Sequence, residues 1–278
     1  MSRKVIFISY ANEAMAYSLR RIGRQARKLG IFDEVILYTP KDLPQYVRDT
    51  NLLGFSRGGG FMCWKPAVIY ETLQKFDDGD IAVWVDAGCT LRKSTEWKIL
   101  LSLMEKYDTV CFQYEDKAYP EWEKFGTTSP AEGYWTKRFT LEFLEDYLQN
   151  NTIRDIPQIL TGVIFMKGKN NTVLKQWRDL IIKNPALVAD PDKEEIKNQL
   201  PTFIGHRHDQ SVFTPLAALD DKTLILPEIF EYFSPDSFVW ASRIRARNFL
   251  EYITIQTKHY LRIWLGDRLF ERIKRLFK

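Results

Sequence analysis

GDIAVWVDAGCTL, residues 79 to 91, is where the sequence declares its fold. Ile81 to Val85 are all apolar, stand between Gly79 and Gly88, and run straight into a carboxylate, Asp86. A strand with one wet face alternates; an unbroken apolar run reads as a strand covered on both faces, as in a parallel sheet. Asp86 then stands at the C-terminal end of that strand.

The flanking chain repeats the theme. Lys4 to Ser9, Glu34 to Tyr38, Thr109 to Tyr114 and Gly162 to Lys167 are further strand candidates. Met15, Leu19, Ile22, Ala26 and Leu29 recur at helical spacing and stop at Gly30, a C-cap residue. Pro66 opens a second helix whose apolar face runs through Ile69, Leu73 and Phe76, and Val173, Leu174, Trp177, Leu180 and Ile181 mark a third. Residues 184–201, with Pro185, Pro191 and Pro201, are the most loop-like interval. Strands alternating with helices predict an α/β domain, Rossmann-like, with a mostly parallel sheet flanked by helices. Ligands of such sheets lie at the C-terminal strand ends. Asp86 is at one of these ends, and Ser9 and Tyr10 are at another.

Composition narrows the class. At 45% hydrophobic and 27% charged residues, the chain is neither disordered nor fibrous. Cys63, Cys89 and Cys111 are odd in number and lack metal-ligand spacing, so reduced cysteines in a cytoplasmic compartment are expected. The opening MSRKVIFISYANEA has too short an apolar stretch for a signal peptide, and no segment reaches the ~18 apolar residues of a membrane span. Ten Lys and Arg against three carboxylates between Arg243 and Lys278 give that stretch +7 and leave the remainder at −3. The basicity therefore belongs to the tail, which argues against a nucleic-acid-binding core.

A lone Asp-x-Gly more often caps a turn than holds a ligand. Its neighbours shift that balance. SRGGGFMCWKPAVIYETLQKFDDGD (56–80) followed by VDAGC resembles the donor-binding half of GT-A-type nucleotide-sugar-dependent glycosyltransferases of bacterial and viral glycan biosynthesis, of the capsule or lipopolysaccharide type. HRHDQSVFTPLA (206–217) is similar to the Asp-Gln helix start found late in that group, and TGVIFMK (161–167) to its glycine-bearing, sugar-facing strand. The resemblance covers residues 4–240.

It implies a GT-A-like fold and a nucleotide-diphosphate sugar donor, with UDP-sugars first among them. Arg57 and Lys65 would flank the diphosphate with the Gly58-Gly59-Gly60 loop, which would lend backbone N–H groups. Ser9, Tyr10, Thr161, Gly162 and His208 would line the donor site, Tyr10 by stacking on the base. Asp86 would hold the ribose or a divalent cation, with Gly88 permitting close approach. Asp209, at a helix start, would deprotonate or position the acceptor hydroxyl, and Gln210 would bind sugar hydroxyls. The chain departs from the group's Asp-x-Asp metal motif, since Gly88 stands in the third position. A Mn²⁺ or Mg²⁺ ion would then need Asp86 together with His206 or His208.

The tail has its own pattern. Leu261, Leu265, Leu269, Ile273 and Leu276 recur at helical spacing, with Phe270 and Phe277 beside them and cations opposite. A basic amphipathic helix over 243–278, appended to a catalytic domain of residues 1–242, is expected to bind an anionic membrane surface at its cytoplasmic face. A helix packed on the domain or on a second subunit is the alternative. The expected activity is a hexosyltransferase-like transfer from a nucleotide-diphosphate donor to a glycan or lipid-linked acceptor. A catalytically inactive sugar- or nucleotide-binding protein and a nucleotidyltransferase are the rivals.

Overall fold

The computed structural model describes residues 3–265 apart from Ala118, Pro120, Glu121, Glu123, Lys124 and Thr128. Its strands are β1 (Val5–Tyr10), β2 (Glu34–Tyr38), β3 (Ile81–Val85), β4 (Thr90–Leu91), β5 (Thr109–Gln113), β6 (Ile159–Lys167), β7 (Thr223–Pro227) and β8 (Val239–Trp240). The longer helices are α1 (Ala16–Leu29), α2 (Lys65–Gln74), α3 (Glu96–Leu103), α4 (Arg138–Leu148), α5 (Thr172–Lys183), α6 (Asp209–Ala218) and α7 (Phe249–Leu265).

Six strands form the central sheet in the order β2-β1-β3-β6-β5-β7, and β4 pairs with β8 in a small ribbon. Within the large sheet β6 runs antiparallel to both its neighbours, and every other pairing is parallel. The fold is thus mixed α/β, with a mostly parallel sheet flanked by helices.

The two faces of the sheet explain the unbroken run that opened the sequence. Ala82 and Trp84 of β3, with Ile6 and Ile8 of β1 and Ile164 and Met166 of β6, pack under α2, α5 and α6. Ile81, Val83 and Val85, with Phe7, Val163 and Phe165, pack under α1 and α3. No side chain of β3 is more than 1% exposed, and burying each of the larger ones is worth ~1.5–3 kcal/mol. All three cysteines lie buried and free.

Two elements differ from the sequence expectation. Gly58 to Met62 is a left-handed turn in which every residue has φ between +55° and +99°. The N–H groups of Gly59, Gly60, Phe61, Met62 and Cys63 all bond to carbonyls between Ser56 and Gly60. The loop therefore does not lend those donors to a phosphate. Gly60 is needed there, because a Cβ would lie 2.9 Å from the Leu52 carbonyl oxygen.

The second difference concerns the end of the catalytic body, expected at 242. Ile244 and Ala246 are fully buried. Ile244 donates its N–H to the Gly88 carbonyl at 2.9 Å, and Ser18 of α1 donates its hydroxyl to the Ile244 carbonyl at 2.7 Å. The body therefore extends past Ala246. Beyond it α7 rests on α1 through Tyr17, Phe249 and Tyr252. Of the predicted apolar stripe, Leu269, Phe270, Ile273, Leu276 and Phe277 lie outside the described residues.

Candidate active site

Asp86 leaves the end of β3 with its N–H bonded to the Gly162 carbonyl of β6 at 2.9 Å. The chain then turns at once, Cys89 N–H closing back on the Asp86 carbonyl. The Asp86 side chain is 45% exposed, the most open of the ionised groups gathered here. Its Oδ1 accepts from Trp84 Nε1 at 2.9 Å and faces Lys65 Nζ at 3.3 Å. Its Oδ2 faces Gly162, where a Cβ would sit 3.6 Å away.

Lys65 begins α2, with Pro66 in the first turn where a missing N–H is harmless. Its side chain is only 2% exposed, yet its ammonium has a full set of partners. They are Asp86 Oδ1, Asp209 Oδ2 at 3.1 Å, and the carbonyl and hydroxyl oxygens of Thr161 at 3.1 and 3.2 Å. Burial pulls its pKa down, but the carboxylates of Asp209 and Asp86 outweigh that, and the pKa stands above the ordinary lysine value. Lys65 is a permanent cation locked between two carboxylates. It is therefore not turned toward a diphosphate, contrary to the sequence expectation.

Asp209 is the first residue of α6 and is fully buried. Burial pushes its carboxyl up, Lys65 pulls it back, and Asp86 adds to the rise. Its delivery depends on His208, whose φ of 57° and ψ of −118° lie in a region non-glycine residues seldom occupy; such geometry costs ~1–3 kcal/mol and clusters at functional sites. The expectation that Asp209 meets the acceptor hydroxyl directly does not fit this burial. Asp209 lies beneath, and Asp86 is the carboxylate at the surface.

The remaining expected residues fall into two groups. Thr161 and Gly162 are at the site, touching Lys65 and Asp86. Gln210 is partly exposed beside Asp209 and donates from Nε2 to Gln158 Oε1. Gly88 is in the turn after Asp86, its carbonyl held by Ile244 N–H and the Ser242 hydroxyl.

The others are engaged elsewhere. The Ser9 hydroxyl is buried and donates to the Val85 carbonyl at 2.7 Å. Tyr10 is 6% exposed with Trp64 covering its ring at 3.8 Å between centroids, so the base-stacking face is already taken. Arg57 is paired with Asp190 at 2.9 Å. His206 donates from Nε2 to the Leu187 carbonyl and accepts the Lys137 N–H at Nδ1, so neither nitrogen is free for a metal. His208 donates from Nδ1 to the Val188 carbonyl, and burial pushes its pKa down to about 4.

This donor set does not fit a divalent cation. Asp86 offers one carboxylate whose Oδ1 is already shared by Trp84 and Lys65, Gly88 brings no oxygen side chain, and His206 is saturated. Among the described residues no group of three or more His, Cys, Asp or Glu is arranged to hold a metal.

Sequence reading missed Trp84, hidden within the apolar run, and Glu132. Glu132 is fully buried, accepts from Thr136, and connects through Gln158 to Gln210. Burial pushes its carboxyl up to about 8, against the hydrogen bonds of Thr136, Thr214 and Gln158.

No family profile matches the sequence, and no curated protein does. Among solved structures the chain is similar to a glycosyltransferase involved in the glycosylation of the major capsid of PBCV-1, at 11% identity over 81% of each chain, with a TM-score of 0.42. It is similar to the bifunctional glycosyltransferase WbbM at 12% identity and a TM-score of 0.44, over 92% of this chain and 45% of that one, so it spans under half of WbbM. It is also similar to the 4-diphosphocytidyl-2C-methyl-D-erythritol synthase of Anaerococcus prevotii, at 12% identity over 94% of this chain and 99% of that one, with a TM-score of 0.40.

Proposed function

We propose that the protein is a glycosyltransferase that moves a sugar from a nucleotide-diphosphate donor, a UDP-sugar first among the candidates, to a glycan or lipid-linked acceptor. One observation carries the reading. A solvent-facing carboxylate, Asp86, stands at the C-terminal end of a central strand, braced from below by a buried ammonium and facing a glycine. Such a group accepts hydrogen bonds from ribose or sugar hydroxyls, and the glycine leaves room for the sugar.

In this reading Asp86 and Gly162 seat the donor, and Lys65 and Asp209 hold Asp86 in place as a rigid, charge-balanced support. Gln210, steadied by Gln158, takes an acceptor or donor hydroxyl. The anomeric carbon–oxygen bond breaks with its electron pair leaving on the nucleoside diphosphate. The acceptor oxygen forms the new bond, and its proton passes to the departing diphosphate. No step is routed through a metal. The test is to incubate the protein with a panel of UDP-, GDP-, ADP- and CDP-sugars and oligosaccharide acceptors, with EDTA and with Mn²⁺. Nucleoside diphosphate release from one donor, unchanged by EDTA, is the expected result; no release with any donor overturns it.

The tail supports a peripheral location at the cytoplasmic face of an anionic membrane. On α7, Leu250 is 76% and Trp264 81% exposed, with Ile253, Tyr260 and Leu261 on the same outward side. An apolar, aromatic face on a basic segment suits a lipid interface. No helix among the described residues is long and apolar enough to cross a membrane.

A further inference from the structure

Arg21 of α1 is 4% exposed. Its Nη2 donates to the carbonyls of Ala87 and Cys89, and its Nη1 to the Thr90 hydroxyl at 2.9 Å. Each of these acceptors is a neutral oxygen; two belong to the turn that follows Asp86 and the third opens β4 directly after it. Nε has no partner at all. Tyr252 of α7 lies over the guanidinium, 5.8 Å from its centre. A guanidinium does not deprotonate in a protein. A buried cation without a carboxylate is costly and is normally avoided. Burial lowers the Arg21 pKa, as expected for a charge that is not neutralised.

The turn itself shows where that charge is felt. The Ala87–Gly88 peptide is trans. With the Ala87 carbonyl drawn to Arg21, the Gly88 N–H points the opposite way. Gly88 is itself buried, with the backbone of Arg243 and Ile244 against it. Arg57 and Lys65, the cations expected to serve a diphosphate, are occupied by Asp190, Asp86 and Asp209.

We infer that Arg21 is the positioning residue for the donor's diphosphate, holding the Asp86–Cys89 turn from behind and supplying the unneutralised positive charge that favours an anionic group in front of it. The inference rests on the proposed donor site and adds a discriminating element to it, a preference for phosphate charge over the nucleoside. Because the charge is buried, it is screened less by salt than a surface lysine would be.

The test compares UDP, GDP, ADP and CDP, the matching nucleosides and inorganic pyrophosphate by calorimetry on the full chain. Wild type should bind one nucleoside diphosphate, and Arg21→Gln should weaken it at least tenfold while the nucleoside binds as before. Arg21→Lys should restore part of the loss. Thr90→Asp places a carboxylate against the guanidinium, and Thr90→Asn is its neutral control. If Arg21→Gln does not fold, Thr90→Asp alone decides. It should lose diphosphate affinity at least tenfold relative to Thr90→Asn while its melting temperature holds or rises. Equal loss for nucleoside and diphosphate, or none for either, overturns the inference and leaves the donor site standing. A wild-type protein that binds no diphosphate and no pyrophosphate overturns both.

Discussion

Lys65 Nζ lies 3.1 Å from Asp209 Oδ2, and neither side chain is more than 2% exposed. This pair is the foundation on which the exposed Asp86 rests. Removing Lys65 leaves Asp209 buried without its cation, at a cost of ~3–5 kcal/mol, while removing Asp209 leaves the buried Lys65 with Asp86 as its one remaining carboxylate. Lys65→Met and Asp209→Leu should each lower the urea midpoint steeply. The double variant should recover much of that stability, yet Asp86 would lose its brace and transfer should stay low. A double variant no more stable than the singles would show that the pair is not coupled.

Asp86→Asn keeps an oxygen for Trp84 Nε1 and Lys65 Nζ. At 45% side-chain exposure the change should move stability by no more than ~1 kcal/mol. Donor-induced thermal shift should disappear in the same variant. Retention of the full shift would return Asp86 to the role of a turn residue.

The pH profile carries two opposed contributions. Glu132 has its pKa raised to about 8 by burial, so its contribution is full below its unfolded value and is lost as pH rises through about 8. His208 is lowered to about 4 by burial, and His206 is lowered by the same cause; their contribution is present above the unfolded histidine value and is lost as pH falls toward 4. Urea titrations should therefore show stability falling on both sides of a slightly acid maximum. Glu132→Gln should flatten the alkaline limb and make the acid limb steeper, because Glu132 opposes the histidines between its unfolded value and theirs.

In the left-handed turn, Gly60→Ala combines a φ of +99° with a Cβ 2.9 Å from a backbone oxygen. It should cost ~2 kcal/mol or more. Gly59→Ala, at φ +59° with its nearest neighbour the Asn12 side-chain nitrogen at 3.6 Å, should cost ~1 kcal/mol. Equal denaturation midpoints for the two variants would refute the backbone clash.

A chain ending at Asn248 keeps Ile244 and Ala246 in place and should fold like the full protein, whereas one ending at Ser242 should be markedly less stable. Each Lys or Arg near an anionic leaflet adds ~1 kcal/mol. Full-length protein should pellet with anionic vesicles, release partly at high salt and ignore neutral ones, and the Asn248 chain should stay in the supernatant. Pelleting of both chains alike would remove the tail from any lipid contact.

Apolar runs made β1, β3, β5 and much of β6 readable, because a strand covered on both faces must be apolar throughout; β2, a half-buried edge strand, was readable from its own apolar run at residues 35–37. β7 was not read: Thr223–Pro227 is an edge strand of half-buried residues, and its short run sits between Lys222 and Glu228. The site was legible as a set of residue types and not as a set of contacts. Ser9 and Tyr10 do stand at a strand end, but the pleat sends them to opposite faces and both faces are covered, so neither is open to a ligand. Arg57 looked free because its partner, Asp190, comes 133 residues later. Arg21 followed an amphipathic pattern in which a polar position normally meets water, and only the fold reveals that the turn after Asp86 sits on top of it.

The strap from Ser242 to Ala246 orders events during synthesis. The Ser242 hydroxyl reaches the Gly88 carbonyl across 154 residues of chain, and Ser18 reaches Ile244 across 226. Contacts of such separation close late in folding, since loop entropy must be overcome first. A ribosome that has released only the sheet and its helices has therefore made a body in which the turn after Asp86 is still open on one side. That turn is closed only when the nascent chain delivers Ile244, just before α7 itself emerges.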